Sequence, residues 1–274
     1  MKKITSLLLL VLLLQTSSAF SAEAKTAKGV HCLFIGHSFF IPVARRFPEF
    51  AKQAGVTEHT QQGVFSGGKS GAPGSLWANE KKKAEILAFL KTGKVELLGM
   101  TYYNEDNSSI EDYKTWIDEA LKHNPKTEFF IGLPWGTNGA GREVDEYVAA
   151  GNKFHETVYA ITIVKLRKMY PNNKIRFTYY GQASSELKKR FESGKLPELK
   201  QLMGTKDAIY RDRLGHANAM LLDLAAVVWL SALYEVDIDK AELKLDYQAD
   251  LKAIAKEILA NEKRVQEASA ASTR

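Results

Sequence analysis

Five short segments in the first two thirds of the chain have the pattern of β-strands. Four of them are apolar runs that stop at a turn-forming residue, namely Gly36, Asn104, Pro134 or Gly181. Short apolar runs bounded in this way are typical of strands buried in a sheet. We predict strands at Cys32–Ile35, Thr57–Val64, Val95–Tyr103, Glu128–Leu133 and Lys174–Tyr180.

Segments with helical spacing of apolar residues separate these strands. They are predicted over Ile41–Gly55, Leu76–Lys91, 110–122 and 143–169, with helical pieces over 183–203, a nearly all-apolar helix at Ala217–Tyr234 and a charged helix over 248–268. Strands that alternate with helices form parallel sheets covered on both faces. The pattern therefore predicts an α/β fold, a three-layer α/β/α sandwich around a five-stranded parallel sheet of flavodoxin-like order.

The first residues have the pattern of a secretory signal peptide. Lys2 and Lys3 precede an apolar run over Leu7–Leu14, and a small, polar stretch follows up to Ala22. The alternative is a membrane anchor, but this run is shorter than the roughly 20 apolar residues that a membrane span requires. We predict a signal peptide at 1–22, then a single domain over 23–274 with the helix at 248–268 as an appendage. The mature protein is expected in the periplasm or outside the cell, without a membrane segment.

Composition and charge exclude some classes of function and of covalent cross-link. The chain has 274 residues, of which 45% are hydrophobic and 26% charged, as in ordinary globular proteins. Loss of Lys2 and Lys3 lowers the formal net charge from +6 to +4. The longest basic run is Lys81–Lys83, which is typical of a solvated helix face, so no nucleic-acid partner is expected. Cys32 is the only cysteine, which excludes an intrachain disulfide.

Ser38 is the first candidate for chemistry. It follows the predicted first strand and Gly36, just before the chain becomes helical. A residue there lies at the carboxyl end of a strand and at a helix N-terminus, where open α/β sheets bind their ligands. Two interpretations are open, a helix N-cap and a nucleophile.

Asp212 and His216 form the second candidate, in an irregular segment just before the predicted buried helix. Gly215 allows the loop between them to bend, so that the carboxylate can orient the imidazole, as in the Asp–His half of a hydrolytic triad. The alternative is a helix-start aspartate beside an unrelated histidine. No two histidines have the spacing of metal ligands, so no metal is expected.

These candidates all follow predicted strands or lie on loops at the same edge of the sheet. A serine follows the first strand, a glycine-rich loop the second, an asparagine the third, and an Asp/His pair lies near the C-terminal end. The topology would bring them to a single crevice. The chain order Ser…Asp…His is one in which the triad recurs. The Gly-x-Ser-x-Gly elbow is absent, because Phe40 stands where the second glycine would be.

The segment Phe34–Ser38, the glycine loop at Gly67, Gly68 and Gly71, Asn104, and the Asp212/His216 pair resemble the four blocks of the SGNH (GDSL-type) hydrolases, especially exported bacterial members. The resemblance spans roughly residues 29–234. Three positions depart from the family pattern. His37 replaces an aspartate or asparagine, the third block lacks Gly-x-Asn-Asp and leaves Asn107 as an alternative to Asn104, and Asp212 precedes His216 by four residues instead of three.

The resemblance implies a serine esterase without cofactor or metal. Ser38 would be the nucleophile, His216 the base and Asp212 its partner. Ser38, Gly68 and Asn104 would bind the oxyanion. Tyr103 and Trp135 would line the substrate pocket, although both could equally be core aromatics.

The resemblance also bears on the substrate, because the family includes exported enzymes that act on decorated polysaccharides. The implied partner is a small-molecule or polysaccharide ester, with an acetyl or short acyl group on a carbohydrate favoured. The alternatives are a lipid or aryl-ester hydrolase of the same fold and a non-catalytic exported binding protein.

Overall fold

A computed structural model describes residues 27–272, so the leader predicted at 1–22 lies outside the described residues. The central sheet has five strands, namely β1 (His31–Gly36), β2 (Thr60–Phe65), β3 (Leu97–Thr101), β4 (Glu128–Gly132) and β5 (Ile175–Thr178). All are parallel, and their order in the sheet is β2-β1-β3-β4-β5. This confirms the predicted flavodoxin-like α/β fold.

Helices cover both faces of this sheet, which explains why its central strands are apolar along most of their length. The helices are α1 (Ile41–Gln53), α2 (Pro73–Ala78), α3 (Glu80–Leu90), α4 (Ile110–His123), α5 (Val144–Val158), α6 (Val164–Met169), α7 (Gln182–Glu192), α8 (Ala219–Tyr234) and α9 (Leu251–Ser272). On one face α1, α7, α8 and α9 pack around Phe34, Phe130 and Trp229. On the other face α2 to α6 pack around Leu33, Leu98 and Trp116.

Two of the predicted helices are interrupted. The segment Leu76–Lys91 was expected as one helix, but Asn79 adopts an extended conformation and its side chain accepts a hydrogen bond from the backbone N–H of Lys82. Asn79 therefore caps a new helix, which is a role that asparagine performs well. The long helix over 143–169 contains one π-helical turn, at Tyr159–Ile163.

The prediction of helical pieces over 183–203 is wrong at its C-terminal end. After α7 the chain forms β6 (Gln201–Met203), which pairs in parallel with β7 (Ala208–Tyr210) in a small second sheet. These strands are too short to carry a recognisable period in the sequence. Their importance is positional, because β7 leads directly into the segment that holds Asp212 and His216.

The C-terminal helix α9 packs against the domain through its first turns. Leu251, Ala255 and Ile258 are buried, and they belong to the same core as α8. Further along, the buried Glu262 accepts hydrogen bonds from the Thr178 hydroxyl and the Tyr179 backbone N–H. Burial raises the pKa of Glu262 to about 7. Across residues 27–272, no helix combines the length and apolarity needed to cross a bilayer.

The buried histidine His155 on α5 should make the stability of the protein depend on pH. Its side chain is buried against Phe177 and Tyr179, and neither ring nitrogen has a hydrogen-bond partner within the described part of the chain. Burial lowers the pKa of His155 from 6.5 to about 4. As the pH falls below about 6.5 the unfolded chain takes up this proton first, so the free energy of unfolding decreases down to about pH 4.

We expect His155→Phe to raise the free energy of unfolding, because it removes two unpaired polar atoms and keeps the ring contacts. The gain should be larger at pH 5 than at pH 7.5, as measured by urea denaturation. His31→Gln, at an exposed histidine, is the control for replacing a histidine and should not raise the free energy of unfolding. An equal gain for His155→Phe at both pH values would contradict the assignment.

Candidate active site

Ser38 lies in the tight turn that joins β1 to α1. The carbonyl of His37 accepts hydrogen bonds from the backbone N–H groups of Phe40 and Ile41, at 3.1 and 3.0 Å. The N-cap of α1 is Phe40, so Ser38 does not cap this helix. Its hydroxyl instead lies 2.9 Å from Nε2 of His216. Of the two interpretations of Ser38, the geometry therefore excludes the helix cap.

Asp212 holds the opposite side of the His216 imidazole. Its Oδ2 accepts a hydrogen bond from His216 Nδ1 at 2.7 Å, and its Oδ1 accepts from the backbone N–H groups of Leu214 and His216 at 3.1 and 3.3 Å. Burial tends to raise the pKa of Asp212, but these hydrogen bonds outweigh it and the pKa is lowered. The carboxylate is therefore charged at neutral pH and set in a fixed orientation.

The four-residue spacing between Asp212 and His216 is made possible by Gly215. This glycine has a φ of +95°, a conformation that side chains with a Cβ rarely adopt. The turn is closed by hydrogen bonds from Gly215 N–H to the Asp212 carbonyl and from Arg211 N–H to the His216 carbonyl, at 3.0 and 2.7 Å. The turn thus brings the carboxylate back to Nδ1.

His37, directly before Ser38, is a structural support that the sequence did not assign. It is buried, and its Nδ1 accepts a hydrogen bond from the Phe39 N–H while Nε2 donates to the Tyr102 carbonyl, at 3.2 and 3.0 Å. Burial lowers the pKa of His37 to about 4, so the ring is neutral. It joins the turn after β1 to the chain after β3. The sequence offered one signal for this role, since His37 stands where the SGNH hydrolases that the sequence resembles have an aspartate or asparagine.

Two of the three candidate glycines lie on the wall of the site. Gly67 and Gly68 face the space in front of Ser38, and Gly68 has a φ of +51°. Gly71 is buried behind this wall, where an added Cβ would lie 2.5 Å from the Ser66 carbonyl and 2.7 Å from His37. Of the candidate oxyanion glycines, Gly67 and Gly68 therefore line the crevice and Gly71 does not.

Asn104 and Asn107 have different roles in the structure. Asn104 lines the site, and its Oδ1 accepts a hydrogen bond from Asn107 Nδ2 at 3.0 Å. Asn107 Oδ1 in turn accepts from the Ser75 hydroxyl at 2.9 Å. Both ends of the Asn107 amide are thereby engaged, and Asn107 does not line the crevice, whereas Asn104 does. The geometry favours Asn104, as the sequence did.

These residues surround a crevice of about 740 Å³ at the carboxyl edge of the sheet. Among the described residues that line it, none is a lysine, arginine, aspartate or glutamate. Three apolar residues are exposed at the mouth of the crevice, Tyr103 and Phe65 at 41% and Leu214 at 61%. Trp135 lies in the wall of the crevice and is 3% exposed. The lining comprises His37, Ser38, Phe39, Phe65, Gly67, Gly68, Tyr102, Tyr103, Asn104, Pro134, Trp135, Gly136, Thr137, Phe154, Leu214 and His216.

Four apolar residues that line the crevice were not predicted from the sequence, namely the aromatic residues Phe39 and Phe154 and the exposed residues Phe65 and Leu214. Phe39 adjoins Ser38 and Leu214 lies within the Asp212–His216 loop, so proximity to the candidates was a usable signal for both. Phe154 lies inside the helix α5, and nothing in the local pattern distinguishes it from a core residue.

The arrangement meets the geometric requirements for a nucleophile with an oriented base. A hydroxyl, an imidazole and a carboxylate lie in hydrogen-bond sequence, beside backbone and amide donors and in a concave site. Within residues 27–272, no group of three or more histidine, cysteine, aspartate or glutamate side chains is placed to hold a metal ion.

Comparisons with known proteins add little to this geometry. No family model matches the chain, and no curated protein is significantly similar to it. A solved structure, the periplasmic domain of a lipopolysaccharide acetyltransferase from Salmonella ser. Paratyphi A, is similar at 13% identity with a TM-score of 0.38. The match covers 57% of this chain and 68% of that one. A likeness at this level carries no argument about function.

Proposed function

We propose that this chain is an exported serine ester hydrolase of the SGNH type, which the sequence resembles. The observation that carries the proposal is the hydrogen-bond chain from Asp212 through His216 to Ser38, at 2.7 and 2.9 Å. A serine that is close to a histidine by chance would not also have a carboxylate held on the other ring nitrogen. The signal-peptide pattern at 1–22 supports export to the periplasm or beyond.

Acyl transfer follows from the positions of these atoms. Ser38 Oγ attacks the ester carbonyl while His216 Nε2 takes its proton, and Asp212 stabilises the imidazolium that forms. When the ester C–O bond breaks, the imidazolium returns the proton to the departing alcohol. Water then attacks the acyl-serine with His216 again as the base, which releases the carboxylic acid and restores Ser38.

The negative charge on the tetrahedral intermediate requires hydrogen-bond donors. The proposal assigns the backbone N–H groups of Ser38 and Gly68 and the side-chain amide of Asn104 to this role. Such donors act mainly in the transition state, and losing one typically lowers turnover by about 10²- to 10³-fold.

The proposed substrate is an acetyl or short acyl ester on a carbohydrate, either a small molecule or a polysaccharide. An open crevice at the surface accommodates part of a polymer, and the described lining residues, none of which is a lysine, arginine, aspartate or glutamate, suit a neutral sugar ester. Tyr103, 41% exposed at the mouth, offers an aromatic face to a sugar ring.

A second candidate is a lipid or aryl ester. Phe65 at the end of β2, Tyr103 after β3 and Leu214 in the loop after β7 are exposed apolar residues around the mouth. Exposed apolar patches of this kind mark binding surfaces for apolar partners. The non-catalytic binding protein is the remaining alternative, and it makes no use of the aligned hydroxyl.

The test of the proposed function is turnover of a small acetyl ester together with labelling by a fluorophosphonate probe. We expect the wild-type protein to do both, and Ser38→Ala to lose both. Asp212→Asn should keep the fold and lose up to about 10⁴-fold in turnover, because the amide favours the wrong imidazole tautomer. Ser66→Ala, a nearby serine outside the hydrogen-bond chain, is the control. Full turnover in Ser38→Ala would show that Ser38 is not the nucleophile and would overturn the proposed mechanism. A wild-type protein that neither hydrolyses the ester nor is labelled would leave the binding protein as the better alternative.

The substrate class is tested by comparing kcat/KM for acetylated oligosaccharides, p-nitrophenyl acetate and p-nitrophenyl octanoate. We expect kcat/KM to be higher for the two acetyl esters than for p-nitrophenyl octanoate. A preference for octanoate that Leu214→Ser abolishes would instead support the lipid ester. Met203→Ser is the matched control, because this residue is similarly exposed but lies away from the crevice.

The two asparagines give a further test of the oxyanion assignment. Asn104→Ala should lower kcat by about 10²-fold or more with little change in KM. Asn107→Ala removes only a partner of Asn104, so we expect a smaller loss. If Asn107→Ala were the more damaging change and Asn104→Ala were silent, the assignment of Asn104 would be wrong.

A further inference from the structure

Trp135 follows β4 and lines the crevice, yet it has little surface to offer to a substrate. Its side chain is 3% exposed. The indole N–H instead donates a buried hydrogen bond to the Gly215 carbonyl at 2.8 Å, across 80 positions in the sequence. The one polar group of this side chain is therefore directed at the loop that carries His216.

The Gly215 carbonyl belongs to the same rigid peptide plane as the His216 N–H. At one end of this peptide group, the carbonyl oxygen accepts a hydrogen bond from the Trp135 indole. At the other end, the His216 N–H donates to Asp212 Oδ1 at 3.3 Å. The plane is thus held at both ends. Because Gly215 has no side chain and a φ of +95°, its own conformation restrains this plane little.

The Trp135 ring makes a second contact that leads to His216. It stacks on Phe39 with 5.2 Å between ring centroids and an interplanar angle of 21°. Phe39 in turn meets the His216 imidazole edge to face, at 5.3 Å and 82°. The backbone of Phe39 is fixed because its carbonyl accepts a hydrogen bond from the Tyr180 hydroxyl at 2.7 Å.

We propose that Trp135 is a positioning residue that sets the imidazole of His216 between Ser38 and Asp212. It acts through the Gly215 peptide on the backbone of His216 and through Phe39 on its ring. This inference rests on the proposed function, since only a reaction that uses the imidazole requires its position. It assigns to Trp135 a role other than contact with the substrate.

The test is Trp135→Phe, which keeps an aromatic ring and removes the N–H. We expect kcat for a small acetyl ester to fall by about 10- to 100-fold with KM within about twofold, because small misplacements of a catalytic group are costly. Trp116→Phe is the matched control. It removes another buried indole–carbonyl hydrogen bond, to Pro73 at 2.9 Å, and should lower stability to a similar extent while keeping kcat.

A second measurement separates positioning from substrate contact or a general loss of stability. In the His216→Ala background there is no imidazole to position, so adding Trp135→Phe should not lower the residual rate further. A loss that persists in this background, or a rise in KM as the main effect, would overturn the proposal.

Two further outcomes are informative. If the wild-type protein hydrolyses the ester and Trp135→Phe retains full kcat, the positioning role is wrong and the proposed function stands. If the wild-type protein has no activity, the proposed function itself fails. Should Trp135→Phe not fold, Phe39→Leu tests the ring contact alone. It should lower kcat without raising KM, and unchanged kcat would count against the proposal.

Discussion

The hydrogen bond between Ser38 and His216 joins two residues that lie 178 positions apart in the sequence. It forms only if the turn after β1 and the loop after β7 meet at one edge of the sheet. Parallel strands provide this edge, because all of their carboxyl ends point in the same direction. The connection therefore depends on the order of the whole sheet and on the burial that holds it together.

Supports from three further strand ends keep this hydrogen bond aligned. The neutral His37 ties the serine turn to the chain after β3, and Tyr180, after β5, holds the carbonyl of Phe39. Trp135, after β4, holds the carbonyl of Gly215. In each case a side chain donates to a main-chain carbonyl, which restrains the backbone without adding a charge. Among the described residues that line the crevice, none is a lysine, an arginine or a carboxylate.

Much of this organisation could be predicted from local patterns. Alternation of strand and helix segments was sufficient for the parallel sheet and its order, because right-handed crossovers permit few alternatives. Ser38, Asp212 and His216 could be identified from their places beside strands and glycine turns. Local sequence patterns were less informative where helix or strand propensity competes with the influence of the surrounding tertiary structure. Asn79 divides a segment that has helical spacing throughout, and the short strands β6 and β7 carry no readable period.

The fold class, the predicted leader and the candidate residues for chemistry can be recognised in the amino-acid sequence, because each depends on composition and spacing along the chain. That Ser38 faces His216 instead of capping a helix is visible only in the folded protein. The structure also places Asn104, and not Asn107, on the wall of the crevice, and it directs the indole of Trp135 at Gly215. The physical reason is that these are contacts between distant segments. Their partners are selected by packing, which no local pattern in the chain specifies.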